Sequence, residues 1–143
     1  MKFLRHGPIG NEKPGCIDSD GNIRDLSALI ADFTPETVTC DTLAALADRD
    51  VSGLPIVDPA TRIGPCVGAA RNFYAVGLNY ARHARETNNP EPKEPVLFSK
   101  STSSICGPND PIILPRGSVK TDWEVELGII IGRPCSYVSK DEA

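Results

Sequence analysis

Two short patterns in this chain carry residue types that do chemistry. In the stretch VKTDWEVELGIIIG, residues 119–132, Glu124 and Glu126 stand two apart. On a strand, residues two apart share a face and lie roughly 7 Å apart at Cα, so both carboxylates point the same way. They can converge on one hard cation, Mg²⁺, Mn²⁺ or Ca²⁺, all of which take oxygen donors. Asp122 shares their face at its outer end and is placed to orient its neighbours. The second pattern is YARHARET, where His83 and Glu86 are three apart and face the same way on a helix. A carboxylate beside an imidazole raises its proton affinity and fixes its orientation, which general-base chemistry uses. Each pattern has a plain alternative. The first is also the polar face of an ordinary half-exposed strand, and the second a solvated helix surface.

The elements that must position these groups follow from periodicity. Lys120, Asp122, Glu124 and Glu126 alternate strictly with Thr121, Trp123, Val125 and Leu127, the period of a strand. After Gly128, Ile129, Ile130 and Ile131 run on as a strand buried on both faces would. Carboxylates entering an interior need a positive partner, and Lys120 is the only cation on their face. A divalent cation would answer that need. NFYAVGL, residues 72–78, predicts a strand, and Asn79 is placed to cap the short helix that carries His83. After the loop NPEPKEP comes the strand VLFSK, whose Lys100 is placed either to meet an anionic substrate or to snorkel at the surface. GPNDP then predicts a turn, IILP a short strand, and RGS a turn into the acidic stretch.

Upstream, residues 1–26 predict a small β meander in which DSDGN is a turn. Asp18 and Asp20 do not make a calcium loop, because the glycine comes too early and the closing glutamate is missing. His6 has no second ligand at metal spacing and is expected to be structural or exposed. Leu26, Leu29, Ile30 and Phe33 are spaced as on a helix, and Thr34-Pro35 interrupts them. A second helix is expected over 41–47, with Thr39 or Asp41 as N-cap and Leu43 and Leu46 facing the core. Residues 50–68, broken by Gly53, Pro55, Pro59, Gly64 and Pro65, read as a connector. The expected fold class is α+β and β-rich, with a small N-terminal domain and linker over 1–68 and a second domain over 69–143.

Composition narrows the classes. With 40% hydrophobic and 24% charged residues in 143, the chain is globular and large enough for a core. A net charge of -4 with no basic cluster argues against nucleic acid. No run approaches the ~18 apolar residues of a membrane span, and MKFLRHGPIG is too poor in apolar residues for a signal peptide, so cytoplasm is the expected location. Five scattered cysteines without a CxxC pair argue against a disulfide framework or zinc knot, and buried or half-buried thiols are expected.

Taken together and in order, VGLNYARHARET, EPVLFSKSTSSICGPNDPIILPRG and TDWEVELGIIIGR resemble the fumarylacetoacetate hydrolase family, from about Asn72 to the last residue. The leading MKFLRHGPIGNEKPGCIDSDGNIRDLS looks like the small first domain of one bacterial branch, similar to hydrolases of diketo-deoxy sugar acids and to enzymes labelled ureidoglycolate lyase or hydroxyheptadienedioate isomerase. The resemblance implies that Glu124 and Glu126 are a metal pair for Mg²⁺ or Mn²⁺, with Ca²⁺ a further option. It places a His-x-x-Glu dyad on His83 and Glu86, on a helix able to act as a lid, and a substrate-binding lysine on Lys100. It further implies a third metal ligand on a strand beyond Ala143, and a β-rich roll of which this chain holds the beginning. The implied substrate is a small 2-oxo acid chelated through its carboxylate and adjacent oxygen. His83, tuned by Glu86, would activate the water that attacks the distal carbonyl, and the metal would stabilise the enolate left when the carbon–carbon bond breaks. Isomerases and decarboxylases of the family use the same enolate without that water. A homodimer is implied for the intact protein. Ser139 with Asp141 and Glu142 opens a helix that stops at once, so a truncated chain is expected, and residues 1–143 alone, holding two of the three implied ligands, are expected to be inactive. The rival reading is a non-catalytic binding or assembly module.

Overall fold

The N-terminal alternation becomes a three-stranded antiparallel meander, β1 (Lys2–His6), β2 (Lys13–Ile17) and β3 (Ile23–Asp25). Lys2 pairs with Ile17 and His6 with Lys13, while Gly15 pairs with Asp25 and Ile17 with Ile23. The β2–β3 turn forms because the Asp18 carboxylate accepts from the N–H groups of Asp20 and Asn22, at 3.0 and 2.9 Å, and Gly21 takes φ +86°. Arg24 closes it by donating from Nε to Asp18 at 2.6 Å. This computed structural model describes all 143 residues.

α1 (Cys40–Ala47) starts where a cap allows it: Thr39 Oγ1 accepts from the Thr42 N–H at 3.1 Å. The helix lays Leu46, and partly Leu43, on a core of Cys16, Leu26, Phe33, Val38 and Val51. Phe3 tilts against Phe33 with ring centroids 5.4 Å apart. The helix expected over Leu26–Phe33 is instead a single turn, with Leu29 and Ile30 donating to the Leu26 carbonyl. Tertiary contacts prevail there. Leu26 N–H is drawn to the Pro14 carbonyl at 2.9 Å, Arg5 holds Asp32 at 2.7 and 2.8 Å, and Leu26 and Phe33 are both fully buried. The connector contributes isolated bridges, His6 to Ile63 and Arg24 to Ile56.

Two compact units emerge, one combining residues 1–68 with 107–143 and the other spanning 69–106. The second unit is the hairpin β4 (Tyr74–Gly77) and β5 (Val96–Ser99) with α2 (Ala81–Glu86) between them in sequence, then a single 3₁₀ turn at Thr102–Ser104. Strand and helix together give an α+β chain, rich in sheet and with few helices.

Other sequence expectations also differ from what forms. Residues 112–115 and 119–132 carry no strand, and their apolar side chains face solvent: Ile113 is 90%, Trp123 88% and Val125 91% exposed. Alternation prepares a strand but does not supply a partner, and neither β1–β2–β3 nor β4–β5 pairs with this stretch. The N-cap of α2 is Tyr80, not Asn79, and it makes no side-chain cap bond. Of the five thiols only Cys16 is buried; Cys40, Cys66, Cys106 and Cys135 are exposed because they sit on loops or at a helix start, away from the core.

Candidate active site

In the second unit the hairpin is the platform. Its ladder runs from Tyr74–Ser99 to Gly77–Val96, and the Lys100 N–H extends it by donating to the Phe73 carbonyl at 2.8 Å. That places the Lys100 ammonium 6.0 Å from the centroid of the Phe98 ring, within cation–π range. α2 turns Ala84 fully inward and leaves His83 and Glu86 exposed. The Glu86 carboxylate accepts from Arg82 Nε at 2.9 Å. His83 and Glu86 therefore share one helix with no bond between them, and the glutamate's partner is the arginine one turn back. At the other end, Thr87 Oγ1 donates to the His83 carbonyl at 2.9 Å, and Asn88 takes φ +57° to end the helix.

In the first unit Glu124 and Glu126 are exposed on the acidic stretch, and the Asp122 carboxylate accepts from the Trp123 N–H at 2.8 Å. No group of three or more His, Cys, Asp or Glu side chains is gathered to hold a metal ion. Two carboxylates spaced for one face nonetheless make a donor set of the kind that hard divalent cations take. The stretch meets the first unit at Gly132, where a Cβ would come within 3.0 Å of Cys40 Sγ.

Sequence reasoning missed a network that fixes where residues 107–110 attach. The Arg62 guanidinium forks onto Asp110 with two bonds of 2.6 Å and reaches Glu12 at 2.9 Å. Asp110 also accepts from the Gly107 N–H at 2.7 Å. Arg62 and then that N–H hold the Asp110 carboxyl below its ordinary range. Burial of Glu12 opposes its ionisation, yet the Arg62 hydrogen bond, its own backbone N–H and the Arg5 charge outweigh it and keep its value low. The partners stand 48 and 50 positions apart, so no local pattern announces them. His6, treated as structural or exposed, is buried, and its Nε2 has no hydrogen-bond partner.

Residues 72–143 match the family described as fumarylacetoacetate (FAA) hydrolase C-terminal. Over all 143 residues the chain is 56% identical to a protein of Burkholderia multivorans and 55% identical to one each of Burkholderia ambifaria and Burkholderia lata, all three bearing the name "Putative hydrolase". In each case the match covers 51% of the relative, so the chain spans about half the length of the curated relatives it matches. No helix is long and apolar enough to cross a membrane.

Proposed function

The chain belongs to the fumarylacetoacetate hydrolase family, and from that membership we propose that it supplies part of a metal-dependent hydrolase cleaving a carbon–carbon bond in a 2-oxo acid of the acylpyruvate kind. The observation that carries the proposal is that His83, Glu86, Lys100, Glu124 and Glu126 all fall inside the matched span, residues 72–143.

Glu124 and Glu126 would hold Mg²⁺ or Mn²⁺. When bound, such a cation supplies Lewis acidity, offsetting the negative charge that develops on the 2-oxo oxygen as the bond breaks. His83, exposed on α2, would take a proton from water while the water oxygen bonds to the distal carbonyl carbon. The carbon–carbon bond then breaks and its electron pair passes to the 2-oxo acid fragment as an enolate. His83 returns the proton to that fragment's carbon, leaving a carboxylic acid and a 2-oxo acid. Glu86 would orient His83 once Arg82 releases it. Exposed i,i+4 pairs of this kind contribute only about 0.3–0.5 kcal/mol, so the exchange is easy. Lys100 would meet the substrate carboxylate.

The exposed apolar stretch favours the second reading, an assembly module without catalysis. Calorimetric titration of the chain with Mn²⁺ separates the two. Saturable binding that disappears in Glu126→Ala supports the metal site, whereas binding unchanged by that substitution removes these glutamates from it. In a longer polypeptide carrying this sequence, His83→Ala should lower acylpyruvate turnover by about 10²-fold or more and spare Mn²⁺ affinity.

A further inference from the structure

The link between β4 and α2 is three residues long, Leu78, Asn79 and Tyr80, and one of them is in an unexpected conformation. Leu78 has φ +51°. This left-handed region brings Cβ against the following carbonyl oxygen, which is unfavourable for an L-residue with a side chain. The two residues that take this region most readily, Gly77 and Asn79, lie on either side of it. The strain has therefore settled on the least suited of three consecutive residues.

Its surroundings explain why it stays there. Gly77 is held in the ladder opposite Val96, so the chain cannot turn earlier. Tyr80 is already the N-cap, its carbonyl accepting from the Ala84 N–H at 3.1 Å, so the turn must be complete within Leu78 and Asn79. Between a strand that has not released and a helix that has begun, Leu78 absorbs the change of direction. Backbone strain of this sort persists where the structure on both sides over-determines it. The direction in which α2 leaves the hairpin depends on this dihedral angle, and His83 and Glu86 go with it.

We propose that Leu78 is a positioning residue whose left-handed backbone, and not its side chain, sets the orientation of α2 and hence of His83. Its significance for catalysis rests on the reading of His83 given above; its effect on α2 does not.

Two pairs of variants of the 143-residue chain test it. Leu78→Asn and Leu78→Gly permit the left-handed region; Leu78→Val and Leu78→Ile are β-branched and oppose it. The measurements are amide exchange at Ala84, Thr87 and Asn89, whose N–H groups bond within and just after α2, and the His83 ring resonances by NMR. The Asn and Gly variants should keep α2 amide protection and the His83 resonances close to wild type. The Val and Ile variants should exchange roughly tenfold faster at those amides and shift the His83 signals. Displacement of α2 in the Asn and Gly variants would overturn the proposal, because the side chain would then be what matters. Unchanged exchange in Val and Ile would overturn it equally. If the β-branched variants unfold the hairpin, the permissive pair alone still decides. None of these readouts uses turnover, so the outcome for His83→Ala tests the catalytic reading separately.

Discussion

Gly15 shows how tightly one residue can be specified. It lies in the middle of β2, and a Cβ there would meet His6 Cδ2 at 2.9 Å, the Arg24 carbonyl oxygen at 3.1 Å and Leu4 Cδ1 at 3.1 Å. Because one of the three is backbone, Gly15→Ala is expected to destabilise the first unit by about 1–3 kcal/mol, read from the urea midpoint. His6, packed beside it, makes stability depend on pH. Burial lowers its pKa from the ordinary 6.5, against the attraction of Asp25 and with the help of Lys13. The unfolded chain then binds a proton that the folded chain refuses. Stability is full above pH 6.5 and falls as pH drops from there towards the lowered folded value. Glu12, Asp18 and Asp110 act in a second, more acid window. Their folded values lie below the ordinary ones, so the stability they contribute is present above the ordinary carboxylate range and is lost as pH falls through the folded values. Urea midpoints measured from pH 8 to pH 3 should show both declines, and His6→Phe should remove the first while leaving the second.

At the scale of elements, local chemistry accounts for the parts that form unaided. α1 starts at Thr39 because a hydroxyl there satisfies the Thr42 N–H. Thr39→Ala should cost about 1 kcal/mol and Thr39→Ser should restore most of it, measured by thermal melts of the two variants. A Thr39→Ala protein as stable as wild type would mean that core contacts of Leu43 and Leu46 fix the helix without its cap. α2 follows from sequence signals of similar range, whereas β4 and β5 pair across 19 to 25 positions, Gly77 with Val96 and Tyr74 with Ser99. The stretch 119–132 has equally clear alternation but forms no strand and is largely exposed, since a strand is the one element whose hydrogen bonds must be met by another segment.

For the whole molecule, the main buried apolar cluster and the most exposed apolar run lie in different segments. The hydrophobic core lies within residues 16–51, whereas Val119, Trp123, Val125, Leu127, Ile129 and Ile131 are all more than 70% exposed. Phe33→Ala removes the largest fully buried side chain and should cost about 3–5 kcal/mol of first-unit stability. Trp123 is the single tryptophan and is 88% exposed, so its fluorescence reports on the acidic stretch alone. Emission should peak as for solvated indole and be quenched by iodide nearly as efficiently as a free tryptophan. A blue-shifted, protected signal from the chain in dilute solution would contradict the exposed arrangement.

The sequence by itself determined the Asp18–Gly21 turn, α1 with its threonine cap and the place of α2, because each depends on residues within a few positions of one another, and its alternation marked the strands of the meander and the two strands β4 and β5 without pairing the latter. The family too was legible there, in motifs that stand in a set order along residues 72–143. Only the tertiary structure decided that Leu26–Phe33 makes one turn instead of a helix, that His6 is buried, that Arg62 grips Asp110, and that Glu86 faces Arg82. It alone decided that Leu78 carries the left-handed turn and that the acidic stretch joins no sheet. Those outcomes depend on which distant groups compete for the same backbone, charge or surface, and periodicity along a chain does not encode a partner.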